Sequence, residues 1–319
     1  MVVSPGLRRF VTPLFDKVVY ASTAYVELKS TVNDFAAALV DFSAEPAGAA
    51  DGRLREALAL IRPWQLPGAR LVRVGGDRDG GYVMLADEIT TATAAISIGV
   101  GRDVSWDASI AALGLPVAMF DPTVRRPPTK VPGAVFHRVG VAGIASPDGL
   151  YRPLRDLVRL SGFDAGAQLL LKMDVEGAEW PALSALDPGE LSGYRQIVTE
   201  LHDFSRLADP DAGGPVLAAL RALNRTHLPI HVHANNYSRL VRFDRYWFPD
   251  TVEVSFVRRD LAGGAQPAAR VASPFDVPSD PRVAEIALEG LLTMPADGPV
   301  TLPANLPDHH PDRAAATRP

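Results

Sequence analysis

A buried strand that ends in acidic residues and a glycine turn is the feature that most constrains the fold. Residues 169–173 form a mainly apolar run, Asp174 follows it directly, and Gly177 precedes another helical pattern. Such runs are typical of parallel sheets, which bind ligands outside the carboxyl ends of their strands. We therefore expect an active-site edge at Asp174. The competing interpretation is that Asp174 or Glu176 only caps the next helix while Glu179 faces water.

Short apolar runs alternate with helical patterns through the middle of the chain. The predicted strands span residues 94–98, 116–120, 134–141, 168–173, 196–201, 229–234 and 251–257. The predicted helices lie near residues 104–113, 151–160, 179–186 and 216–223. This alternation predicts an α/β fold with a largely parallel, doubly wound sheet and right-handed crossovers. Because no helical pattern separates the last two runs, we expect them to form an antiparallel pair at one edge.

The two ends of the chain differ from this α/β region. Apolar residues recur at spacings of four and three from Leu14 to Leu39, which predicts a long amphipathic helix. We expect it to pack on its own domain, and a homodimer partner or an active-site lid is the alternative. A linker is expected at 45–52 and a short helix at 54–61. The predicted organisation is a helical extension at 1–65, the α/β domain at 66–294 and a disordered tail at 295–319.

Composition limits the class of protein. Of 319 residues, 47% are hydrophobic and 22% are charged, and the net charge of -5 argues against a broad nucleic-acid-binding face. No window approaches the roughly 20 apolar residues that cross a bilayer, so we expect no membrane span, and we identify no export signal. With no cysteines, nothing indicates an oxidising compartment, and cytoplasmic residence is the expectation.

A glycine turn followed by an acidic strand end predicts a nucleotide site. Gly99 and Gly101 follow the first long strand, and Asp121 ends the next one. Glycines let the backbone approach a ligand, and a carboxylate in this place can accept hydrogen bonds from both hydroxyls of a ribose. Without Asp121, a plain turn would be the better interpretation of the glycines. A dinucleotide fingerprint requires a third glycine where this chain has Val104, so the pattern favours an adenosine cofactor other than NAD.

Two further glycine clusters stand near this predicted site. Asp79 and Gly81 belong to a turn between two extended runs, which predicts a β-hairpin. Contact between these two residues and the cofactor is one interpretation, and a simple hairpin turn is the other. The glycines of the segment 134–143 are expected to leave room for a flat adenine ring.

Acidic and histidine residues cluster at the ends of the later strands. Glu200 and His202 end one strand, and His233 ends the next. If these strands lie beside the strand of Asp174, the side chains of Asp174, Glu200, His202 and His233 converge at one edge of the sheet. His202 or His233 could then act as a general base on an acceptor hydroxyl. Alternatively, Asp174, Glu200 and His202 could ligate Mg²⁺ or Mn²⁺, which would acidify that hydroxyl.

Five segments, in chain order, resemble the FkbM-type family of class I S-adenosylmethionine-dependent methyltransferases, in its branch with a DGGYV element. They are DGGYV at 79–83, ISIGVGRDVSWD, VAMFDPT, LLLKMDVEGAEW and QIVTELHDF. The likeness covers roughly residues 70 to 260. The glycine loop departs from the family's D-x-G-A-N-x-G form, with Ser97, Val100, Gly101 and Asp103 in its place.

The resemblance implies a seven-stranded Rossmann-like sheet with an antiparallel last strand pair. It also implies S-adenosylmethionine bound at Gly99, Gly101 and Asp121, and methyl transfer to oxygen. The acceptor would be a small hydroxylated molecule such as a saccharide or a glycosylated natural product. Related O-methyltransferases keep an acceptor-site or metal-binding acid where this chain has Asp174. The rival functions are an NAD-dependent oxidoreductase and a non-catalytic cofactor-binding module.

Overall fold

The computed structural model describes residues 48–164, 166–187, 189–244 and 246–292. The amphipathic helix expected from Leu14 to Leu39 and the tail expected from residue 295 lie outside the described residues. The helices are α1 (Ala49–Ile61), α2 (Ala86–Thr90), α3 (Ser105–Ala112), α4 (Leu154–Ser161), α5 (Glu179–Ser184), α6 (Pro210–Thr226) and α7 (Glu289–Leu292). The strands are β1 (Trp64–Gln65), β2 (Leu71–Gly75), β3 (Gly81–Leu85), β4 (Ala94–Ile98), β5 (Val117–Phe120), β6 (Ala134–His137), β7 (Gly140–Val141), β8 (Tyr151–Arg152), β9 (Leu169–Asp174), β10 (Tyr194–Leu201), β11 (His227–Ala234), β12 (Leu240–Phe243), β13 (Tyr246–Pro249), β14 (Val252–Arg258) and β15 (Gln266–Pro267).

A seven-stranded sheet with the order β11-β14-β10-β9-β4-β5-β6 forms the centre of the described chain. From β10 to β6 all neighbouring strands are parallel, whereas β14 is antiparallel to both β10 and β11. The predicted mostly parallel sheet and its antiparallel pair are therefore confirmed. The architecture is α/β and compatible with a Rossmann-like fold. The carboxyl ends of β4, β5, β9 and β10 meet at one edge, as parallel pairing requires.

Most predicted elements are found, with shifts at their ends. The run 134–141 is divided between β6 and β7, and α4 begins only at Leu154, because Tyr151 and Arg152 pair with β7. The linker expected at 45–52 is wrong for its second half, since α1 begins at Ala49. Alanine favours a helix over a flexible connection, so the alanine-rich composition of this stretch does not indicate a linker.

Two apolar layers cover the two faces of the sheet. Successive side chains of a strand point to opposite faces. Leu171 accordingly packs in one layer with Trp180 of α5, and Leu170 packs in the other with Trp106 of α3. The first layer also takes in α1 and α6. None of the helices in the described ranges combines the length and the apolar character needed to cross a membrane.

The turn predicted at Asp79 is a β-hairpin. Strands β2 and β3 pair in antiparallel register, with Gly75 opposite Gly81 and Val74 opposite Tyr82. Tyr82 is buried and packs in the same layer as Trp106. The hairpin therefore lies over the sheet face that carries the polar residues described next.

Candidate active site at the carboxyl edge of the sheet

One row of paired residues crosses four strands at the carboxyl edge. Asp174 on β9 pairs with Glu200 on β10, Glu200 pairs with Glu253 on β14, and Glu253 pairs with His233 on β11. Directly paired residues project from the same face of a sheet. The row therefore presents three carboxylates and one imidazole to the face covered by the hairpin. The sequence predicted two of the carboxylates and missed Glu253.

His202 lies at the centre of the acidic end of this row. Its Nε2 atom is 3.5 Å from an oxygen of Glu200, 3.8 Å from one of Glu176 and 4.0 Å from one of Asp174. Its Nδ1 atom lies 3.1 Å from Oε1 of Glu179. Burial alone would lower the pKa of His202, but the negative charges of Glu179 and Glu200 outweigh it and hold the pKa well above the ordinary value. The imidazole is therefore held as a cation among carboxylates.

Two strained turns enclose His202. Glu176 has a φ of 56° and Asp203 a φ of 59°, both in the left-handed region that side chains other than glycine seldom adopt. A Cβ atom on Gly177 would lie 2.6 Å from Oδ2 of Asp203, so the two turns pack directly against each other. Backbone strain of this kind concentrates at functional sites. The alternative that Glu179 merely faces water is wrong, since Glu179 is fully buried.

Three of the predicted residues could hold a metal ion. Asp174, Glu200 and His202 each offer one ligand atom, and these atoms lie within 4.8 Å of one another. Two carboxylates and an imidazole suit Mg²⁺ less well than an all-oxygen set, and they suit Mn²⁺ readily. The geometry is compatible with the metal-assisted mechanism.

His233 does not join this group. Strand β14 inserts between β10 and β11, so Glu253 separates His233 from Glu200. Its Nδ1 atom lies 3.3 Å from Glu253, and its Nε2 atom lies 2.8 Å from Glu285. Burial would lower the pKa of His233, but the two glutamates raise it to about 10. The expected convergence of four residues is thus seen for three, and a His233 that stays protonated near neutral pH is unsuited to act as a base.

The His233 ion pairs give the protein a pH-dependent stability. A histidine whose pKa is raised in the folded state stabilises it fully below pH 6.5 and loses that effect as the pH rises towards 10. We expect the free energy of unfolding of the wild type to fall by about 2–4 kcal/mol more than that of His233→Gln between pH 7 and 10. Urea unfolding at both pH values measures this difference. The charged groups around His233 are the carboxylates of Glu253 and Glu285 and the His231–Asp276 pair. The ring centres of His231 and His233 lie 6.4 Å apart. Equal slopes for both proteins would contradict the assignment.

The glycine loop and Asp121 are in direct contact. The backbone amides of Val100 and Gly101 donate to Oδ2 of Asp121 over 2.9 and 2.8 Å. Gly99 has a φ of 87°, and a Cβ atom there would lie 1.6 Å from the carbonyl oxygen of Asp174, so only glycine fits. Gly101 has open space where a Cβ would stand. The two predicted elements therefore share one edge with the His202 cluster.

The carboxylate of Asp121 has fewer acceptor positions available to a ligand than the sequence predicted. While Oδ2 holds the glycine loop, Oδ1 accepts from the amide of Thr123 over 2.7 Å and from its hydroxyl over 2.6 Å. The expectation that this carboxylate offers acceptors to both ribose hydroxyls does not match the structure, because the protein itself occupies both oxygens. Thr123 is exposed, so its hydroxyl can exchange Asp121 for water at little cost. Oδ1 is therefore the oxygen that a ligand could reach.

The hairpin turn serves packing more than ligand contact. A Cβ atom on Gly81 would lie 1.9 Å from the carbonyl oxygen of Gly76, so Gly81 is required by the turn itself. Asp79 is partly exposed, and its carboxyl group lies near the charges of the acidic row. Desolvation by surrounding atoms, followed by the negative charges of Asp174 and Glu253, raises the pKa of Asp79 to about 6. Of the two, Asp79 alone remains in a position to meet a ligand.

The room expected for an adenine ring near the third strand is occupied by protein. A Cβ atom on Gly140 would lie 2.7 Å from the ring of Tyr151 and 2.8 Å from Pro122. One on Gly143 would lie 2.5 Å from the carbonyl oxygen of Pro181. These glycines are needed for close packing, and that expectation is wrong.

Several residues of the site were missed in the sequence, although some left a signal. Lys172 and Glu253 each stand between two apolar residues of a buried strand, and a charged residue in that position indicates either an edge or a functional partner. Glu285 left no signal, because it comes from a segment without periodicity that reaches His233 only through the tertiary fold. No family model matches the chain, and no curated protein sequence matches it either.

Proposed function

We propose that this protein is an S-adenosylmethionine-dependent O-methyltransferase that acts on a small hydroxylated acceptor, such as a saccharide or a glycosylated natural product. One observation carries the proposal. The glycine loop after β4 and the aspartate after β5 are joined by hydrogen bonds at the sheet edge that also carries the His202 cluster. Ligands of open α/β proteins bind at this edge.

The sheet supports the finer assignment to a class I methyltransferase fold. The antiparallel strand β14 between β10 and β11 agrees with the antiparallel last pair that the FkbM resemblance implies. Gly80 of the DGGYV element packs against Asp103, just after the glycine loop, and Gly99 of that loop packs against Asp174. This closeness in space adds to the likeness in their order along the chain.

The described residues fit an adenosine cofactor with one restriction. The open side of Gly101 leaves space for a ligand, and Oδ1 of Asp121 can exchange Thr123 for a ribose hydroxyl. Oδ2 cannot be released without leaving the buried Val100 amide unpaired. One carboxylate oxygen, rather than two, would hold the ribose.

The site residues would then have separate roles in methyl transfer. S-adenosylmethionine, when bound, would supply the methyl group, which passes to the acceptor oxygen as the carbon–sulfur bond breaks and its electron pair stays on sulfur. Holding that oxygen in line with the methyl carbon accounts for much of the acceleration. In this scheme Asp174 and Glu200 would accept the proton that leaves the acceptor hydroxyl. His202 orients these carboxylates as a cation, or joins them in binding a metal ion.

Calorimetric titration with S-adenosylhomocysteine tests the proposal. We expect a dissociation constant on the order of micromolar, as is usual for enzyme ligands, and no comparable heat with NAD. Binding of NAD alone would favour the oxidoreductase instead. Absence of binding by S-adenosylhomocysteine would refute the methyltransferase assignment.

A transfer assay separates an enzyme from a binding module. Labelled S-adenosylmethionine is incubated with a panel of saccharides and hydroxylated natural products, once with Mg²⁺ or Mn²⁺ and once with a chelator. Transfer under both conditions would show that proton removal does not require a metal ion. Cofactor binding without transfer to any member of the panel would favour the non-catalytic module.

A further inference from the structure

Lys172 is a buried cation in the middle of the sheet. It lies on β9 two positions before Asp174, so both side chains project from the same face. Only 4% of its surface is exposed. Burial of an ammonium group is unfavourable unless opposite charges and acceptors surround it.

The ammonium group joins the glycine loop to the acceptor edge. Nζ of Lys172 donates to the carbonyl oxygen of Gly99 over 2.7 Å. The same atom lies 3.6 Å from Oδ2 of Asp174. It also stands 5.9 Å from the ring centre of Tyr82, which belongs to the hairpin. One side chain thus contacts the glycine loop, Asp174 and the covering hairpin.

The peptide unit between Gly99 and Val100 is held at both ends by charged groups. Its carbonyl accepts from Lys172, and its amide donates to Asp121. A peptide unit is planar, so fixing both groups fixes the plane and the direction in which the loop continues. Hydrogen bonds to ionised groups are roughly twice as strong as neutral ones. Lys172 and Asp121 therefore act on the same peptide from opposite sides.

We propose that Lys172 is a positioning residue for methyl transfer, which holds the Gly99–Val100 peptide and the Asp174 carboxylate in one fixed arrangement. This inference rests on the function proposed above. A compact ammonium with three donors can serve a carbonyl and a carboxylate at once, whereas the planar fork of arginine suits a single paired acceptor. The distance between cofactor and acceptor is then set by one side chain that touches neither of them.

The test compares Lys172→Met with Lys130→Met by calorimetry with S-adenosylhomocysteine. Methionine keeps the unbranched stem and removes the charge, and Lys130 is exposed, so the second variant controls for the substitution itself. We expect Lys172→Met to bind about 10- to 100-fold more weakly than wild type, from the loss of a charged hydrogen bond. Lys130→Met should bind as wild type does.

A chemical rescue distinguishes the charge from mere space filling. The chain has no cysteine, so Lys172→Cys carries a unique thiol. Alkylation of the unfolded variant with 2-bromoethylamine and refolding restores an ammonium group on a side chain of lysine's length, while iodoacetamide adds a neutral amide. Wild-type protein taken through the same treatment controls for refolding. We expect the aminoethylated protein to bind within about threefold of wild type, and the amide derivative to remain as weak as Lys172→Met.

Each outcome decides the proposal. Wild-type affinity in Lys172→Met, or failure of the refolded aminoethyl derivative to regain affinity, would overturn it. If the alkylated proteins do not refold, the comparison of Lys172→Met with Lys130→Met decides alone. A wild type that binds no S-adenosylhomocysteine would instead refute the methyltransferase function on which this inference rests.

A double-mutant cycle tests the link to Asp174. If Lys172 couples the loop to this acid, Asp174→Asn should weaken binding in the wild-type background and have a smaller effect in Lys172→Met. Additive effects of the two changes would show that the loop and the acid are independent, and would overturn the coupling.

Discussion

Asp121→Ala is expected to abolish measurable binding of S-adenosylhomocysteine, a loss of at least about 100-fold. The substitution removes the exchangeable acceptor at Oδ1 and also the acceptor of two loop amides, those of Val100 and Gly101. The unpaired amides should lower the free energy of unfolding by about 2–5 kcal/mol. Calorimetry and urea unfolding measure the two effects separately.

Two milder variants separate ligand contact from loop support. Asn at position 121 keeps an oxygen that can accept from the loop but has no charge, so we expect a folded protein with binding about tenfold weaker. Thr123→Val removes the exposed hydroxyl that competes for Oδ1 and should bind equally well or a few fold more tightly. Wild-type affinity in Asp121→Asn would show that Asp121 only supports the loop.

The edge that carries the site could be predicted because its signals are local. Apolar runs located the strands, and the bounds predicted for β4 agree with the structure. Parallel strands end at a common edge, which brings the Asp121 end of β5 to the glycine loop and Asp174 to Glu200. Each of these steps needs only the neighbouring sequence and the rules of sheet pairing.

The exact partners of the side chains could not be predicted, because they depend on strand order and on distant segments. Because β14 lies between β10 and β11, His233 is separated from His202 and forms ion pairs with Glu253 and Glu285 instead. Nothing in the local pattern distinguishes this order from one in which β11 lies beside β10. The contact between Asp121 and Thr123 is local instead, because a short turn places the amide and hydroxyl of Thr123 on Oδ1 and so limits the acceptors that remain available.

Glu179→Ala should cause the largest loss of stability at the site. The carboxylate is fully buried, and its two oxygens accept from the amides of Val175 and Gly177 over 2.8 Å each. One of them also lies 3.1 Å from Nδ1 of His202. Alanine leaves two amides and a buried imidazole without this partner, so we expect the free energy of unfolding to fall by about 3–5 kcal/mol. A decrease of roughly 10 °C in melting temperature should accompany it.

The Glu176→Gln variant provides the matched control for Glu179→Ala. Its carboxylate also faces His202, at 3.8 Å, but the side chain is 33% exposed, so we expect a change of less than about 1 kcal/mol. The two glutamates flank the same glycine turn and differ mainly in burial and in their backbone hydrogen bonds. If Glu179→Ala unfolded like the wild type, the turn would not depend on its carboxylate, and the fixed position of His202 would need another cause. A large loss in Glu179→Ala and a small one in Glu176→Gln would identify Glu179 as the residue that holds the turn and His202 in place, since its oxygens contact both.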